Sequence, residues 1–241
     1  MTRETIVLLH GFAGTGRSWD AVIERLPESY TALAPDLRGH GDARASAPVS
    51  FEAVVSDVLA AAPARFALVG YSMGGRVALH VALAAPERVT RLVLVSTSAG
   101  IEDPHERETR RIADEELAAR LDRAGDLDDF ADDWLTQPLF ADDPPAAQQR
   151  AREEIARNSP SALAAALRGL SVGVMRPLWA ELSQLKMPAL VLSGERDARY
   201  CTFAERLAAT MPQARAQQIA DAGHALPREA PVELAGRIAE G

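Results

Sequence analysis

The sequence predicts an α/β protein: a mostly parallel sheet covered by helices on both faces, interrupted by a helical insertion. Three observations lead there. Short apolar runs alternate with segments of helical period, the pattern of parallel strands joined by crossover helices. The runs read as apolar on both faces, as strands buried between two helical layers require. The rhythm breaks once, between about residues 101 and 182, where amphipathic segments occur without a convincing strand.

Taken in order, strands are expected near residues 6–9, 31–34, 66–69 and 92–95, then near 189–192 and 216–219. Helices are expected over 19–26, 51–61 and 74–84; Ser50 is placed to cap the second and Pro86 closes the third. The insertion reads as four helices, 105–123, 127–134, 146–157 and 161–170, punctuated by Pro144-Pro145, Pro160 and Pro177. The expected division is a core of residues 1–97 and 185–241 with a helical cap over 98–184.

Composition bounds the function. The chain has 241 residues, 47% hydrophobic, which suits one large domain with a sizeable core. Its formal charge of −8 argues against a nucleic-acid binder, yet a local arginine cluster can still meet an acidic small molecule. Cys201 is the only cysteine, so no disulfide forms within the chain. Charged Arg3 and Glu4 lead directly into an apolar run far too short to span a bilayer. No membrane partner is expected, and a cytoplasmic location is.

One stretch carries chemistry. Gly70-Tyr71-Ser72-Met73-Gly74 lies between an expected strand and an expected helix, the pattern of a nucleophile elbow. The serine sits in a tight turn, so residues two before and two after it must be small. It then projects at a helix N-terminus, where N–H groups favour negative charge. Such a serine needs a base and a group to orient it. Downstream the histidines are His80, His105 and His224. His80 falls on the helix behind the elbow and His105 amid the charges of the insertion. His224 falls in a short loop after the last expected strand. For the acid, Asp197 is preferred and Glu195 is the alternative, both following the strand at 189–192. The glycine-bearing loop His10-Gly11-Phe12-Ala13-Gly14 can turn the Phe12 N–H toward a reacting oxygen, paired with that of Met73. His10 itself is expected to hold that loop. Histidines do not cluster and no Walker or dinucleotide pattern occurs, so no metal or organic cofactor is expected.

Ser72, Asp197 and His224, in that order and each at a strand's carboxyl end, together with the loop at His10, resemble the α/β-hydrolase superfamily over nearly the whole chain. Only Met1 to Glu4 precede the first strand, so the hairpin that opens many members is expected to be missing. Gly-Tyr-Ser-Met-Gly-Gly-Arg, the segment Trp134-Leu135-Thr136-Gln137-Pro138-Leu139-Phe140 and the pair Arg157-Asn158 resemble the 2-succinyl-6-hydroxy-2,4-cyclohexadiene-1-carboxylate synthases of menaquinone biosynthesis. That resemblance implies a lyase whose substrate carries three carboxylates and loses an enolpyruvyl group as pyruvate, with the serine as base. An esterase or C–C bond hydrolase using the same three residues is the alternative. By resemblance, Arg76, Arg110 (or its neighbour Arg111) and Arg157 bind carboxylates, Trp134 walls the pocket and Tyr71 lies beside the serine. Trp134 and Phe140 serve equally well as the insertion's own core. Ala225-Leu226-Pro227 after the histidine is less polar than that family's sequence. Oligomeric state is not written in these features.

Overall fold

The computed structural model describes residues 3–240; Met1, Thr2 and Gly241, which the expected core boundaries include, lie outside the described residues. Six strands form one sheet: β1 Glu4–Leu9, β2 Tyr30–Leu33, β3 Phe66–Tyr71, β4 Val89–Val95, β5 Ala189–Gly194 and β6 Ala214–Ile219. Their order is β2-β1-β3-β4-β5-β6, and every neighbouring pair is parallel. Each of the six expected strands is present.

Alternation along the central strands sorts side chains to two cores. Val7, Leu9, Leu68, Leu92, Leu94 and Val191 face one layer, which holds helices α2 Phe51–Ala61, α3 Met73–Ala84 and α8 Ala198–Thr210. Ile6, Leu8, Val69, Val93, Val95 and Leu192 face the other, packed against Trp19, Val22 and helix α10 Pro231–Glu240. The edge strands depart from the expectation of burial on both faces. In β2 no residue is fully buried and in β6 only Ile219 is. Each has a neighbour on one side alone, so its outer rim meets solvent.

The first expected helix is also shorter than its pattern. A 3₁₀ turn, Gly16–Trp19, opens the segment, with Thr15 and Ser18 capping each other's N–H groups. The α-helix that follows, α1, covers only Asp20–Ile23. Pro27 lies just ahead and disfavours helical backbone in the residue before it. Ser50 does cap α2, accepting from Ala53 N at 3.2 Å.

Between β4 and β5 the chain forms helices α4 Pro104–Leu121, α5 Asp128–Leu135, α6 Pro145–Ile155 and α7 Pro160–Leu170. Three of them begin at a proline, whose missing N–H costs nothing in a first turn. They share a small core of Leu121, Phe130, Leu135, Ile155 and Leu163, which also takes in Ala13 from the loop after β1. That contact brings the insertion over the carboxyl ends of the strands. The strand order reverses between β1 and β3, so the loops leaving those two strands part and open a crevice there.

Candidate active site

Ser72 occupies the turn from β3 into α3 with φ 51° and ψ −110°, a backbone conformation that L-residues avoid. Backbone bonds hold it there. Its N–H donates to Val95 O at 2.9 Å, and Thr97 Oγ1 donates to its carbonyl at 2.7 Å. A side chain on Gly74 would put its Cβ 2.2 Å from Leu9 O, so α3 can start this close to β1 only with glycine there.

His224 follows β6 in a loop clasped from two sides. The carboxylate of Glu229, on the short helix α9 Leu226–Glu229, accepts from Gly223 N at 2.8 Å and Ala225 N at 2.9 Å. The imidazole is buried, with Nε2 3.2 Å from Ser72 Oγ and Nδ1 2.7 Å from Asp197 Oδ2. Asp197 caps α8, its other oxygen accepting from Tyr200 N at 3.3 Å. Both carboxylate oxygens are therefore engaged. A Cβ on Gly194 would meet Gly223 O at 2.1 Å, so the ends of β5 and the histidine loop touch at backbone level. Glu195, the alternative acid, instead accepts from Asp221 N at 3.1 Å and stays exposed. Burial pushes the His224 pKa down from its ordinary value. The Asp197 carboxylate opposes that shift, while the Arg228 and Arg76 charges add to it.

The arrangement allows a proton to pass from Ser72 Oγ to Nε2 while Asp197 holds the imidazole by its Nδ1–H. The other histidines do not take part. Leu37 N donates to His10 Nε2 at 2.9 Å, which leaves the proton on Nδ1 to bond Gly11 O at 2.8 Å. His10 thus holds the loop that carries Phe12. His80 accepts its place on α3 by stacking on Phe51, and His105 stands exposed at the rim.

A cavity of about 870 Å³ opens over Ser72. Phe12 and Met73 form its floor beside the serine, and Tyr71, Arg76, Arg110 and Trp134 also line it. Tyr71 is buried with its ring 5.5 Å from the imidazole, and burial pushes its phenol up. Phe140, also on the wall, lies edge-on to the imidazole at 5.8 Å and packs against Trp134. The two aromatics therefore serve both as insertion core and as cavity wall.

The arginines divide. Arg76 is only 7% exposed, and among the described residues its side chain makes no ion pair and its Nε has no hydrogen-bond partner. Burial pushes its pKa down to about 10, which leaves it charged at neutral pH. Arg110, on the insertion, faces the cavity while its Nε donates to the buried Asp114 at 2.8 Å. Arg111 points elsewhere and pairs with Glu108 on the surface. Arg157 is not brought to the cavity. Its Nε donates to Glu154 at 3.2 Å, and the side chain is 42% exposed. Its neighbour carries the structural weight instead. Asn158 Nδ2 donates to Ala13 O at 3.0 Å and its Oδ1 accepts from Gly41 N at 2.9 Å, tying α6 to the loop that holds Phe12.

Three residues escape the sequence pattern. Tyr200 lies 4.4 Å from the imidazole ring, Glu229 clasps the histidine loop and Arg228 lines the cavity. A signal existed for the first: an aspartate capping a helix keeps its third neighbour in the same turn. Among the described residues no cluster of His, Cys, Asp or Glu can hold a metal ion, and no helix is long and apolar enough to cross a membrane.

Comparison with known proteins gives a consistent set of relatives. The 2-succinyl-6-hydroxy-2,4-cyclohexadiene-1-carboxylate synthase of Citrobacter koseri is 35% identical, over 98% of this chain and 92% of its own length. The structure of MenH from S. aureus superposes with a TM-score of 0.91 at 32% identity, covering 99% of this chain and 92% of that one. A malate-bound thermophilic esterase from Thermogutta terrifontis follows at a TM-score of 0.85 and 30% identity, covering 99% and 89% of the two chains. The model of the alpha/beta hydrolase family matches residues 6–237. A match of that length leaves only the chain's extremities outside it, and the chain belongs to the alpha/beta hydrolase family.

Proposed function

We propose that the chain eliminates pyruvate from 2-succinyl-5-enolpyruvyl-6-hydroxy-3-cyclohexene-1-carboxylate, yielding 2-succinyl-6-hydroxy-2,4-cyclohexadiene-1-carboxylate. The observation that carries this reading is Arg76, a buried guanidinium one helical turn behind Ser72 that makes no ion pair among the described residues and whose Nε has no hydrogen-bond partner. A buried cation left unpaired costs several kcal/mol, roughly 3–5. A bound carboxylate removes that cost, whereas a neutral ester leaves it in place. Arg110 supplies a second cation lining the same cavity. Relatives named for this synthase activity align along nearly the whole chain, which supports the same substrate here.

In this reading Ser72, His224 and Asp197 form a proton-transfer triad. His224 Nε2 takes the hydroxyl proton of Ser72, and the serine oxygen removes a ring proton from the substrate. The electron pair released moves through the ring and breaks the C–O bond to the enolpyruvyl group. Enolpyruvate leaves, takes back one proton from the imidazolium and ketonises to pyruvate, so the enzyme ends as it began. The N–H groups of Phe12 and Met73 stabilise charge that develops on the substrate oxygen; one such donor is worth about 3 kcal/mol of barrier. Residues 98–184 act as a cap that closes the cavity over the core of residues 1–97 and 185–241 and excludes water. The small-molecule partner is a polycarboxylate.

A coupled lactate dehydrogenase assay tests this directly. Purified protein with the enolpyruvyl substrate is expected to release pyruvate stoichiometrically, without a covalent serine adduct. The esterase relative favours a second reading, hydrolysis of a carboxylate-bearing ester through an acyl-Ser72. Fast ester cleavage, an acyl adduct by mass spectrometry and no pyruvate would establish that reading instead.

A further inference from the structure

Arg228 stands four residues after His224, on the short helix α9 that follows the histidine loop. It lines the cavity over Ser72, with its guanidinium carbon 5.5 Å from the Phe140 ring centroid. One nitrogen, Nη2, donates to the buried Asp143 carboxylate at 3.2 Å. Its Nε is shielded and has no partner, and its Nη1 makes no hydrogen bond among the described residues. A planar fork with one tine held by Asp143 is preoriented, because the remaining donors keep a fixed direction.

Its placement mirrors that of Arg76. One guanidinium extends from the helix that starts at Ser72, the other from the helix that follows His224. Both line the cavity over Ser72. Resting on the polycarboxylate reading above, the geometry points to Arg228 as a further carboxylate-binding residue beside Arg76 and Arg110: a guest that reaches both Arg76 and Arg228 lies across the Ser72–His224 hydrogen bond. Asp143 is its positioning residue. The ligand class is then narrower than a polyanion: it is a small polycarboxylate whose anions reach both guanidinium groups at once.

Calorimetry with tricarballylate, and with its neutral triamide as control, tests the assignment. Arg228→Gln is expected to weaken tricarballylate at least tenfold, Arg228→Lys less, and the triamide not at all. Asp143→Asn separates recognition from scaffolding. It removes the carboxylate charge but leaves an amide oxygen that accepts from Arg228 Nη2, so the fork keeps its direction and its cation, and tricarballylate affinity is expected to hold or rise. If Asp143→Asn loses affinity as Arg228→Gln does, Arg228 only staples the loop to α9 and the assignment falls. Equal affinity of Arg228→Gln and unmodified protein overturns it as well, while leaving the polycarboxylate cavity standing. No tricarballylate binding by the unmodified protein removes that cavity reading and the assignment together. Thermal unfolding followed by circular dichroism identifies variants that fail to fold; Arg228→Lys then decides.

Discussion

Ser72, Asp197 and His224 stand at the carboxyl ends of β3, β5 and β6, fixed to one rim of the sheet by backbone bonds and by glycines that let those ends touch. Arg110, Trp134 and Phe140 stand on the insertion, held by side-chain pairings made within it: Arg110 with Asp114 on α4, and Trp134 with Phe130 on α5 and with Phe140 just beyond it. The first region is rigid because its geometry belongs to the main chain. The second depends on pairings such as Arg152 with Asp132, and exposed ion pairs contribute little, about 0–1 kcal/mol each. Under the proposed function, chemistry is built on the stiff half and recognition on the adaptable half, with Arg76 and Arg228 as the exceptions, recognition residues mounted on the core.

The largest effect comes from breaking the stiff half. Ser72→Ala removes the only hydroxyl that hydrogen-bonds His224 Nε2 among the described residues and is expected to lower kcat by roughly 10⁴-fold or more, with KM little changed. The pyruvate-release assay reads it. A loss of less than tenfold would mean that another group takes the proton.

Arg76 tests whether the two halves meet in one substrate. Arg76→Gln is expected to cost about 2–5 kcal/mol in kcat/KM for the polycarboxylate, the range for truncating one partner of a buried charge pair. Hydrolysis of a small neutral ester, if the protein performs it, should change by less than about threefold. Equal losses on both substrates would reduce Arg76 to a structural role.

How much of this was legible follows the same division. The elbow, the histidine loop and the acid after β5 could be read because each requires particular residues at short spacing: glycine two before and after Ser72, Gly223 before His224. All six strands could be read; only the expectation of burial on both faces fails, at the edges β2 and β6, where one side meets water. Arg157 was a different failure. A resemblance preserves the residue type but not its direction, and here Glu154 turns that guanidinium outward. Arg228 was invisible because its partner, Asp143, comes from the insertion far along the chain, and Glu229 because its bonds to the backbone on either side of His224, though local, follow no pattern of residue types.

That correction gives a smaller but sharper test. Asn158→Ala strips the bonds to Ala13 and Gly41 and is expected to cost about 1–3 kcal/mol, because part-buried backbone groups lose their partners. For a chain of this length each 1 kcal/mol lowers the unfolding temperature by about 2–4 °C. Turnover should fall too, since the Phe12 loop loosens. Arg157→Ala, beside it, should leave stability within about 1 kcal/mol and KM for the polycarboxylate within about twofold. A rise of tenfold or more in KM would show that the cap rotates Arg157 inward when substrate binds.

The finest effect is one of pH, and it joins the two halves electrostatically. His224 works as a base only when neutral. Burial lowers its pKa, and Arg76 and Arg228 lower it further by disfavouring a third positive charge nearby. The acid limb of kcat/KM, which reports the free enzyme, is therefore expected below 6.5, the value of an unperturbed histidine. A carboxylate bound on either arginine cancels part of its charge and makes the imidazolium easier to form. The limb of kcat, which reports the occupied enzyme, should accordingly lie at higher pH than that of kcat/KM. Arg76→Gln removes one positive charge from the free enzyme, so its kcat/KM limb should move upward. An unchanged kcat/KM limb in that variant would show that Arg76 holds the guest without tuning the base beside it.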